Sequence, residues 1–426
     1  MNLPRLLAGL DRPGPLTLDA HVAVHGEMPA DVSRSWRTGR TLVEEIRESG
    51  LKGRGGGGFP TARKLASVLA ARGRPVVVVN GCEGEPASGK DRLLVERAPH
   101  LVIDGAVACA RELEADRIVF AIDSDAPATR WALQAAIGER PDAGRRGLVT
   151  EIVEMPTGYL SGQETAIANF VNRGQAVPTV VPPMVFERGI ARRPTFVGNA
   201  ETVGQIGLIV RHGAGWFRGL GTDGQPGSAL VTVGGGVFDP GVFEIEYGAV
   251  LGSLIDAAGG AIEPVRAVLF GGYGGAWVDG SQALELEISD RSLREVGATL
   301  GPGVIVALPQ TACPVAETAR VAAWLESQAA GQCGPCVSGL ASIVGTLGEL
   351  ADGRAATDAG ARLVELAGLV TGRGACAHPD GAARFVTSAV RVFATEFADH
   401  AAYGRCPACS STPILPVPAR RLARAA

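Results

Sequence analysis

Lysine is nearly missing from this chain. Of 40 basic residues only Lys52, Lys64 and Lys90 are lysine, so the other 40 − 3 = 37 are arginine. All three fall in the stretch that also carries the densest glycine run and a cluster of acids. The basic residues thus carry a strong bias to arginine. A lysine kept against it hints at a place that wants a compact ammonium, because the two side chains are not equivalent. Also missing is any apolar run of about 18 residues, so no membrane-spanning helix and no direct membrane insertion is expected. Met1 to Gly14 lacks a signal-peptide pattern, its short apolar stretch being broken by Asp11, Arg12 and Pro13. Neither charge is in excess: the net charge is 40 − 44 = −4. That is too mild to suggest nucleic acid or an anionic membrane surface as partner. With no export signal the expected location is the cytoplasm. There the eight cysteines read as ligands, redox groups or small core residues, not as a disulfide framework.

What is plentiful is glycine, 59 in 426 residues, about twice the usual share. No G-X-Y period is present, so collagen is excluded and many close-approach loops remain. The length suggests two to four domains at about 100–200 residues each. Residues 1–40 look irregular. Thr41 to Ser49 reads as a helix, Gly53–Gly58 follows, and Phe59-Pro60-Thr61 opens a second helix. The run VVVVN after Pro75 has the continuous apolar character of a buried parallel strand. An acidic loop, a helix near His100–Leu113 and a strand at Arg117–Ile122 come next, and the alternation argues for an α/β domain. From about Gly227, LVTVGG, GVFEIEYG and AVLFGG are β-like with one helical run, VLGSLIDAAGG, between them. From about Pro314 four helix-like runs suggest a bundle, and Ser410–Ala426 reads as a loose tail.

Gly53-Arg54-Gly55-Gly56-Gly57-Gly58 satisfies G-x-G-x-x-G literally. A dinucleotide fingerprint should follow a strand, however, and a helix precedes this one. Consecutive glycines still let backbone N–H groups approach a phosphate or a flat ring, and the helix starting near Thr61 adds a positive dipole end, with Lys64 on its first turn. A merely flexible loop is the bland alternative. The loop after VVVVN, Asn80-Gly81-Cys82-Glu83-Gly84-Glu85-Pro86 and then Lys90-Asp91-Arg92, stands at the carboxyl end of a buried strand, a usual ligand position. Its carboxylates and Asn could hydrogen-bond a heterocycle or a ribose, or simply be solvated.

GLKGRGGGGFPTARK followed by NGCEGEPASGKDR resembles the hallmark stretch of a known family, the NADH-binding flavoprotein subunits of complex I. The same family includes the diaphorase subunits of hydrogenases and formate dehydrogenases. Its usual forms are GRGGAGFPTGLKW and NADExEPGxxKDR. The likeness continues in order. Tyr159 to Ala166 matches YxxGEETA, and Arg193-Pro194-Thr195 with Gly198-Asn199-Ala200-Glu201-Thr202 matches KPTxxNNVET. It spans roughly residues 45–385. It implies an α/β, Rossmann-like FMN/NADH domain, then a small β-grasp (SLBB-type) domain and a C-terminal helical bundle with an iron–sulfur site. The boundaries expected are 1–225, 226–305 and 306–409, with a tail at 410–426. It further implies an oxidoreductase in which NADH reduces FMN and electrons leave singly through a [4Fe–4S] cluster to a ferredoxin-like or [2Fe–2S] partner. Membership of a larger complex, peripheral to a membrane, goes with that.

By the resemblance, Gly53, Gly55, Gly56, Gly57, Gly58, Phe59 and Lys64 form the nucleotide and flavin cradle. Asn80, Cys82, Glu83 and Glu85 face the flavin and nicotinamide, with Glu85 the catalytic candidate. Tyr159, Gly162, Gln163 and Glu164 line the other side, and Asn199 and Thr202 hold the phosphate arm. Several positions depart from the pattern. Cys82 stands where the family has Asp, Gln163 where it has Glu, and Gly198 where it has Asn. The KPPF segment falls on Val181-Pro182-Pro183-Met184, removing a lysine and a stacking aromatic, and Ser67 replaces a frequent Phe. Lost stacking costs about 0.5–1.5 kcal/mol per aromatic pair. A flavin-binding electron-transfer adaptor that has lost NADH is therefore the rival reading.

Cys333-Gly334-Pro335-Cys336 reads locally as a thioredoxin-type C-x-x-C too, but that needs a βαβ neighbourhood. Iron–sulfur clusters take four thiolates, often closely spaced cysteines plus a distant one. By the resemblance Cys333, Cys336 and Cys376 are cluster ligands, the last at 376 − 336 = 40 residues on, while Ala330 occupies the first ligand position. Cys406, Cys409 or His378 could complete the set, or the cluster could be a three-iron or labile one, or vestigial. Cys406 and Cys409 could also join Cys333 and Cys336 in a four-thiolate zinc site. Cys109 and Cys313 read as packing residues. His100 reads as a packing or capping group, and the other histidines form no constellation. Arg420, Arg421 and Arg424 read as a solvated end.

Overall fold

The computed structural model describes residues 3–29, 39–140 and 148–418. Arg420, Arg421 and Arg424 lie outside the described residues. The first sheet is built from β1 (Val76–Asn80), β2 (Arg117–Asp123), β3 (Val149–Met155) and β4 (Thr195–Asn199). All pairs are parallel and the order is β3-β2-β1-β4. The chain steps outward from β1 to β3 and returns to the other edge of β1. β1 and β4 thus end side by side, with Asn80 opposite Asn199. Such a reversal opens a crevice at the carboxyl ends of the strands, where ligands of open α/β sheets bind.

β1 is apolar throughout because both of its faces are covered. Val77 and Val79 point into a core shared with the helices Pro99–Glu112 and Ala200–His212. Val76 and Val78 point into a smaller core against Glu164–Arg173. The two helices of the first layer cross closely. A Cβ on Gly105 would overlap the Val203 carbonyl, and one on Gly207 would lie 2.9 Å from the Leu101 carbonyl. The amino-terminal region, irregular by its sequence, forms the helix Leu18–His25 capped by Thr17.

A short ribbon of β5 (Gly221–Thr222) and β6 (Gln225–Pro226) precedes the second sheet. That sheet contains β7 (Ser228–Gly235), β8 (Gly241–Glu246), β9 (Val265–Phe270), β10 (Ala276–Asp279) and β11 (Val304–Pro309), in the order β10-β9-β11-β7-β8. β7 and β8 form a hairpin, the helix Leu251–Ala257 follows, and β11 runs parallel to β7 in the middle. Ile305 and Ala307 face that helix, while Val304, Val306 and Leu308 face the helical region. A module boundary at residue 305 would cut β11, which pairs with β7 on one edge and with β9, through Pro309, on the other.

The helical region comprises Pro314–Ser327, Ala341–Asp352, Ala359–Val370, His378–Val392 and Ala394–Tyr403. The last two read as one run in the sequence. Phe393, with φ −110° and ψ 35°, breaks them apart. A π-helical turn, Pro335–Leu340, precedes the second helix and carries Cys336. π turns concentrate at functional sites. The segment after Ser410 is not loose up to Val417. Ile414 and Leu415 donate backbone N–H groups to Glu317 at 2.8 and 3.1 Å, and Leu415 is buried. Among the described residues no helix is long and apolar enough to cross a membrane.

Candidate functional site

The crevice between β1 and β4 opens into a cavity of about 360 Å³ where all three parts of the chain meet. The first sheet supplies Asn80 and Asn199 from its strand ends and the loop Cys82–Glu85. The second sheet supplies the turns at Gly271–Gly274 and Gly301, and the helical region supplies Cys376, His378 and Arg384. A neighbouring cavity of about 340 Å³ lies across the glycine run, lined by Lys52, Gly53, Gly57, Gly58, Tyr247 and Arg294 among others. Gly56, Thr299 and Gly301 belong to both walls.

The glycine run is a closed loop. Gly53 N–H donates to Phe59 O at 2.9 Å and Thr61 N–H to Leu51 O at 3.0 Å, pinning its ends. Gly56 has φ +104° and Gly58 φ +58°, conformations that favour glycine. Arg54 is buried and anchors the loop. Its N–H donates to Thr202 Oγ1 (2.9 Å), its guanidinium donates to Ser228 O (3.1 Å), and it lies over the Tyr247 ring. Gly55 presses against Asn199, whose Cβ would be 3.3 Å from an added Cβ. Gly57 faces open space.

Behind the cavity lies a buried ionic network. The Lys90 ammonium donates to Asp91 (3.0 Å to both oxygens) and pairs with Glu201 at 2.8 Å. Asn199 donates to Asp91 at 2.7 Å, and Glu201 accepts from Leu230 N–H of β7 at 2.9 Å, tying the two sheets together. Burial opposes the Lys90 charge, but Asp91 and Glu201 outweigh it and hold its pKa above the ordinary lysine value. Burial pushes Glu201 up, against the pull of Lys90 and Arg54. Asp91, which the sequence marks only as part of the KDR motif, is the centre of this network.

Glu85 is 7% exposed and bridges to the second sheet, accepting from Tyr273 N–H at 2.9 Å. Burial pushes its pKa up to about 7, against the hydrogen bonds from Tyr273 and Ala87 and with some help from Glu83. Glu83 turns away to cap the helix Lys90–Arg97. Its oxygens accept from Asp91 N–H (3.1 Å), Arg92 N–H (3.0 Å) and the Ser88 hydroxyl (2.5 Å). Burial raises Glu83 as well, with Asp91 adding to it. Cys82 is buried, which drives its thiol well up, with Asp123 and Asp91 acting in the same direction. Asn80 fastens the opposite loop, donating to Gly162 O at 2.7 Å.

Gln163 caps its own helix, accepting from Thr165 N–H (2.7 Å) and Ala166 N–H (3.0 Å). The other two lysines are also paired. Lys64 donates to Glu164 (2.6 Å) and Val197 O (2.9 Å), and Lys52 to Asp290 (2.7 Å). Tyr159 packs edge-on against Trp324 and lies near His378, and burial raises its pKa. Thus Gly55, Gly56, Asn80, Cys82, Glu83, Glu85, Tyr159, Gly162, Gln163 and Asn199 line the larger cavity, and Gly53, Gly57 and Gly58 the smaller. Phe59, Lys64, Glu164 and Thr202 line neither. Phe59 is 49% exposed.

Cys333, Cys336 and Cys376 come together. Burial raises Cys336 to about 12, and the Cys333 and Cys376 sulfurs push the same way. Cys376 is raised by burial, with Cys333 adding to it. Burial acts to raise Cys333 too, yet hydrogen bonds from the Ala375 backbone and from Cys336 bring it below the ordinary value. Cys406 and Cys409 do not join this set. They meet Cys313 and His400, and the four ligand atoms lie within 4.8 Å of one another. This corrects the reading of the histidines as carrying no constellation and of Cys406/Cys409 as partners of Cys333/Cys336, while Cys313 packs in the core as expected and belongs to this group as well. His378 Nε2 donates to Leu325 O (2.9 Å), and its buried Nδ1 has no protein partner.

Residues 46–207 match the family described as the Nuo51 FMN-binding domain, and residues 316–400 the NADH-ubiquinone oxidoreductase-F iron-sulfur binding region. The NADH-quinone oxidoreductase F 2 subunit of Rhizobium meliloti (strain 1021) is 31% identical over 417 residues, covering 95% of this chain and 99% of that one. The chain belongs to the family of NADH-quinone oxidoreductase F subunits. The F subunit of Streptomyces coelicolor is 30% identical over 378 residues, with 86% of this chain and 84% of that one covered. Among solved structures, NAD+-reducing [NiFe]-hydrogenase is similar in its air-oxidized state (TM-score 0.82, 26% identity, 94% of this chain) and in its H2-reduced state (TM-score 0.78, 26% identity, 84% of this chain). The chain spans 67% and 62% of those two hydrogenase chains.

The residues present fit FMN. A cavity of this size falls within the usual range for small-molecule sites, about 300–1,000 Å³. Gly55, Gly56, Gly162, Gly271, Gly274 and Gly301 in its wall let backbone approach a flat ring. The three thiols Cys333, Cys336 and Cys376 supply part of the four-thiolate set that an iron–sulfur cluster takes. A fourth cysteine does not stand with them, since Cys313, Cys406 and Cys409 are gathered elsewhere, Cys109 is buried in the helix Pro99–Glu112, and Cys82 packs beside β1.

Proposed function

We propose that this member of the F-subunit family binds FMN in the larger cavity, receives electrons there from NADH, and delivers them through an iron–sulfur cluster on Cys333, Cys336 and Cys376. The observation that carries this reading is one cavity whose wall holds both the glycine loop with Asn80 and Glu85 and the cluster cysteine Cys376. A flavin seated there would lie against a cluster ligand. Bound FMN supplies the conversion between two-electron NADH chemistry and one-electron transfer.

The chain's own residues bind, orient and exclude water. Gly55 and Gly56 admit a planar ring. Asn80 and Asn199 fix the strand ends on which it rests, while the Lys90–Asp91–Glu201 network keeps the floor rigid. Glu85, buried in the cavity wall with its pKa pushed up to about 7, can take up or release a proton near neutral pH, and would do so facing a flavin bound there. Gln163 and Glu83 act by capping the helices that bound the site.

The chain divides near residues 1–225, 226–309, 310–409 and a tail. The β7–β8 hairpin, the following helix and the central β11 support a β-grasp, SLBB-type reading for the second part, and the helical end is the cluster-bearing bundle. The names of the relatives support a place in a larger oxidoreductase complex, and the acceptor we propose within it is a ferredoxin-like or [2Fe–2S] protein. The location that goes with this is cytoplasmic, peripheral to a membrane complex. Val180 and Val181 are 75% and 40% exposed in the segment that has lost a lysine and an aromatic, which favours the adaptor as second reading.

The test is reduction of ferricyanide by the FMN- and iron-reconstituted chain. NADH-dependent dye reduction supports the dehydrogenase. Bound flavin that passes electrons only after dithionite treatment supports the adaptor.

A further inference from the structure

We propose that Cys313, His400, Cys406 and Cys409 form a closed, structural zinc site that staples the segment after Tyr403 to the helical region, separate from the cluster. The inference is independent of the proposed function.

The four ligand atoms lie within 4.8 Å of one another, and the closest separations match the edges of a tetrahedron sized for one ion. Cys313 Sγ lies 3.5 Å from His400 Nε2, Cys409 Sγ 3.6 Å from Cys313 Sγ, Cys406 Sγ 3.7 Å from Cys409 Sγ, and Cys409 Sγ 3.8 Å from His400 Nε2. Zinc bonds of about 2.3 Å to sulfur and about 2.0–2.1 Å to nitrogen, set at tetrahedral angles, give edges of about 3.8 Å between sulfurs and about 3.6 Å between sulfur and nitrogen. A four-iron cluster spreads its thiolates over the corners of a much larger core, so these four atoms suit a mononuclear ion. Three sulfurs and one nitrogen in a tetrahedron select zinc.

The surrounding contacts orient the ligands. His400 Nδ1 faces the Leu350 carbonyl at 3.2 Å. That bond places the ring proton on Nδ1 and leaves the Nε2 lone pair directed at the three sulfurs, the usual outer-shell arrangement for a ligating histidine. Ala316 N–H donates to Cys313 Sγ at 3.4 Å. Cys406 and Cys409 are presented by a tight turn, Cys409 N–H donating to Cys406 O at 3.1 Å. All four positions of the tetrahedron are taken by protein, so the site has no opening for substrate.

The staple has a reach. Cys313 follows β11 closely, His400 lies on Ala394–Tyr403, and Cys406–Cys409 begins the strap that crosses Glu317 and Arg320. Further along the strap, Pro416 O accepts from the Tyr273 hydroxyl at 2.5 Å, and Tyr273 N–H is the donor to Glu85. An ion at Cys406 and Cys409 therefore fixes a segment that buttresses the wall of the larger cavity.

The experiment is metal analysis and zinc-edge X-ray absorption on the full chain, expressed with zinc present and reconstituted with iron. The expected result is one zinc per chain with three sulfur neighbours and one nitrogen neighbour. Cys406→Ser/Cys409→Ser should lose the zinc and keep the iron, while Cys336→Ser should lose iron and keep zinc, so failure of the cluster reading would leave this one standing. The proposal is overturned if wild-type chain binds no zinc, if its zinc shell is not three sulfurs and one nitrogen, or if iron is lost with Cys406 and Cys409. The wild-type spectrum decides the matter even if the double variant does not fold.

Discussion

Lys90 shows why three lysines persist in an arginine-rich chain. Its ammonium is 1% exposed at the side chain, between Asp91 and Glu201, and its stem lies against Gly303. A forked guanidinium does not fit that space, so Lys90→Arg should destabilise the chain by about 1–3 kcal/mol in urea unfolding. A change under about 0.5 kcal/mol would contradict the close packing. Glu85 gives a pH signature. With a folded pKa of about 7 against an ordinary 4.5, the folded state holds the proton more tightly than the unfolded one. Stability from this group is complete below pH 4.5 and is lost as pH rises through 7. Glu85→Gln should therefore gain on wild type across that window by up to about 3 kcal/mol and hold the gain above it, measured by urea unfolding of flavin-free protein. A constant difference from pH 4 to 8 would exclude the shift. Gly57 has no neighbour within 4 Å of an added Cβ and no positive φ. Because Gly57 lines only the smaller cavity, Gly57→Val should leave stability within about 0.5 kcal/mol and leave FMN affinity unchanged in a fluorescence titration, whereas a tenfold loss would place the flavin across the glycine loop instead of in the larger cavity.

At the scale of elements, local propensity and tertiary packing pull in opposite directions at Gly105. Alanine is the better helix former by about 1 kcal/mol. Here, however, its methyl would strike the Val203 carbonyl of the crossing helix. Gly105→Ala should lower stability by more than about 2 kcal/mol, read by thermal or urea unfolding, and a stabilised variant would show that the helices can part. The same contest explains which elements are legible in the sequence. VVVVN is plain because a strand buried on both faces is apolar throughout. β3 (VTEIVEM) is an edge strand with a mostly half-exposed pattern, and β4 (TFVGN) is short and runs into a helix, so neither carries a clear period. β10 and β11 escape a sequence reading because AWVD is brief and VIVALP reads equally as a helix start. The glycine loop, Asn80, Glu85 and Asn199 are legible through motif order. The capping roles of Glu83 and Gln163 are not, since a cap depends on which way the side chain turns. Nor are Cys313, His400, Cys406 and Cys409 legible as a set: they lie up to 96 residues apart and only the fold brings them together.

For the whole molecule, two sheets and a helical region converge on one crevice, and the bonds that join them run through the site itself. Glu201 ties β4's following helix to β7, Glu85 ties the first sheet to the turn at Tyr273, and Tyr159 ties it to Trp324. A flavin there would touch all three parts, which is what a protein that gathers electrons at one end and releases them at the other requires. The most direct test is an anaerobic visible spectrum of the FMN- and iron-reconstituted chain before and after stoichiometric NADH. Bleaching of the flavin band together with a broad loss from cluster reduction is the predicted result. A flavin spectrum that ignores NADH but bleaches with dithionite would contradict the dehydrogenase and leave an electron-transfer adaptor in its place.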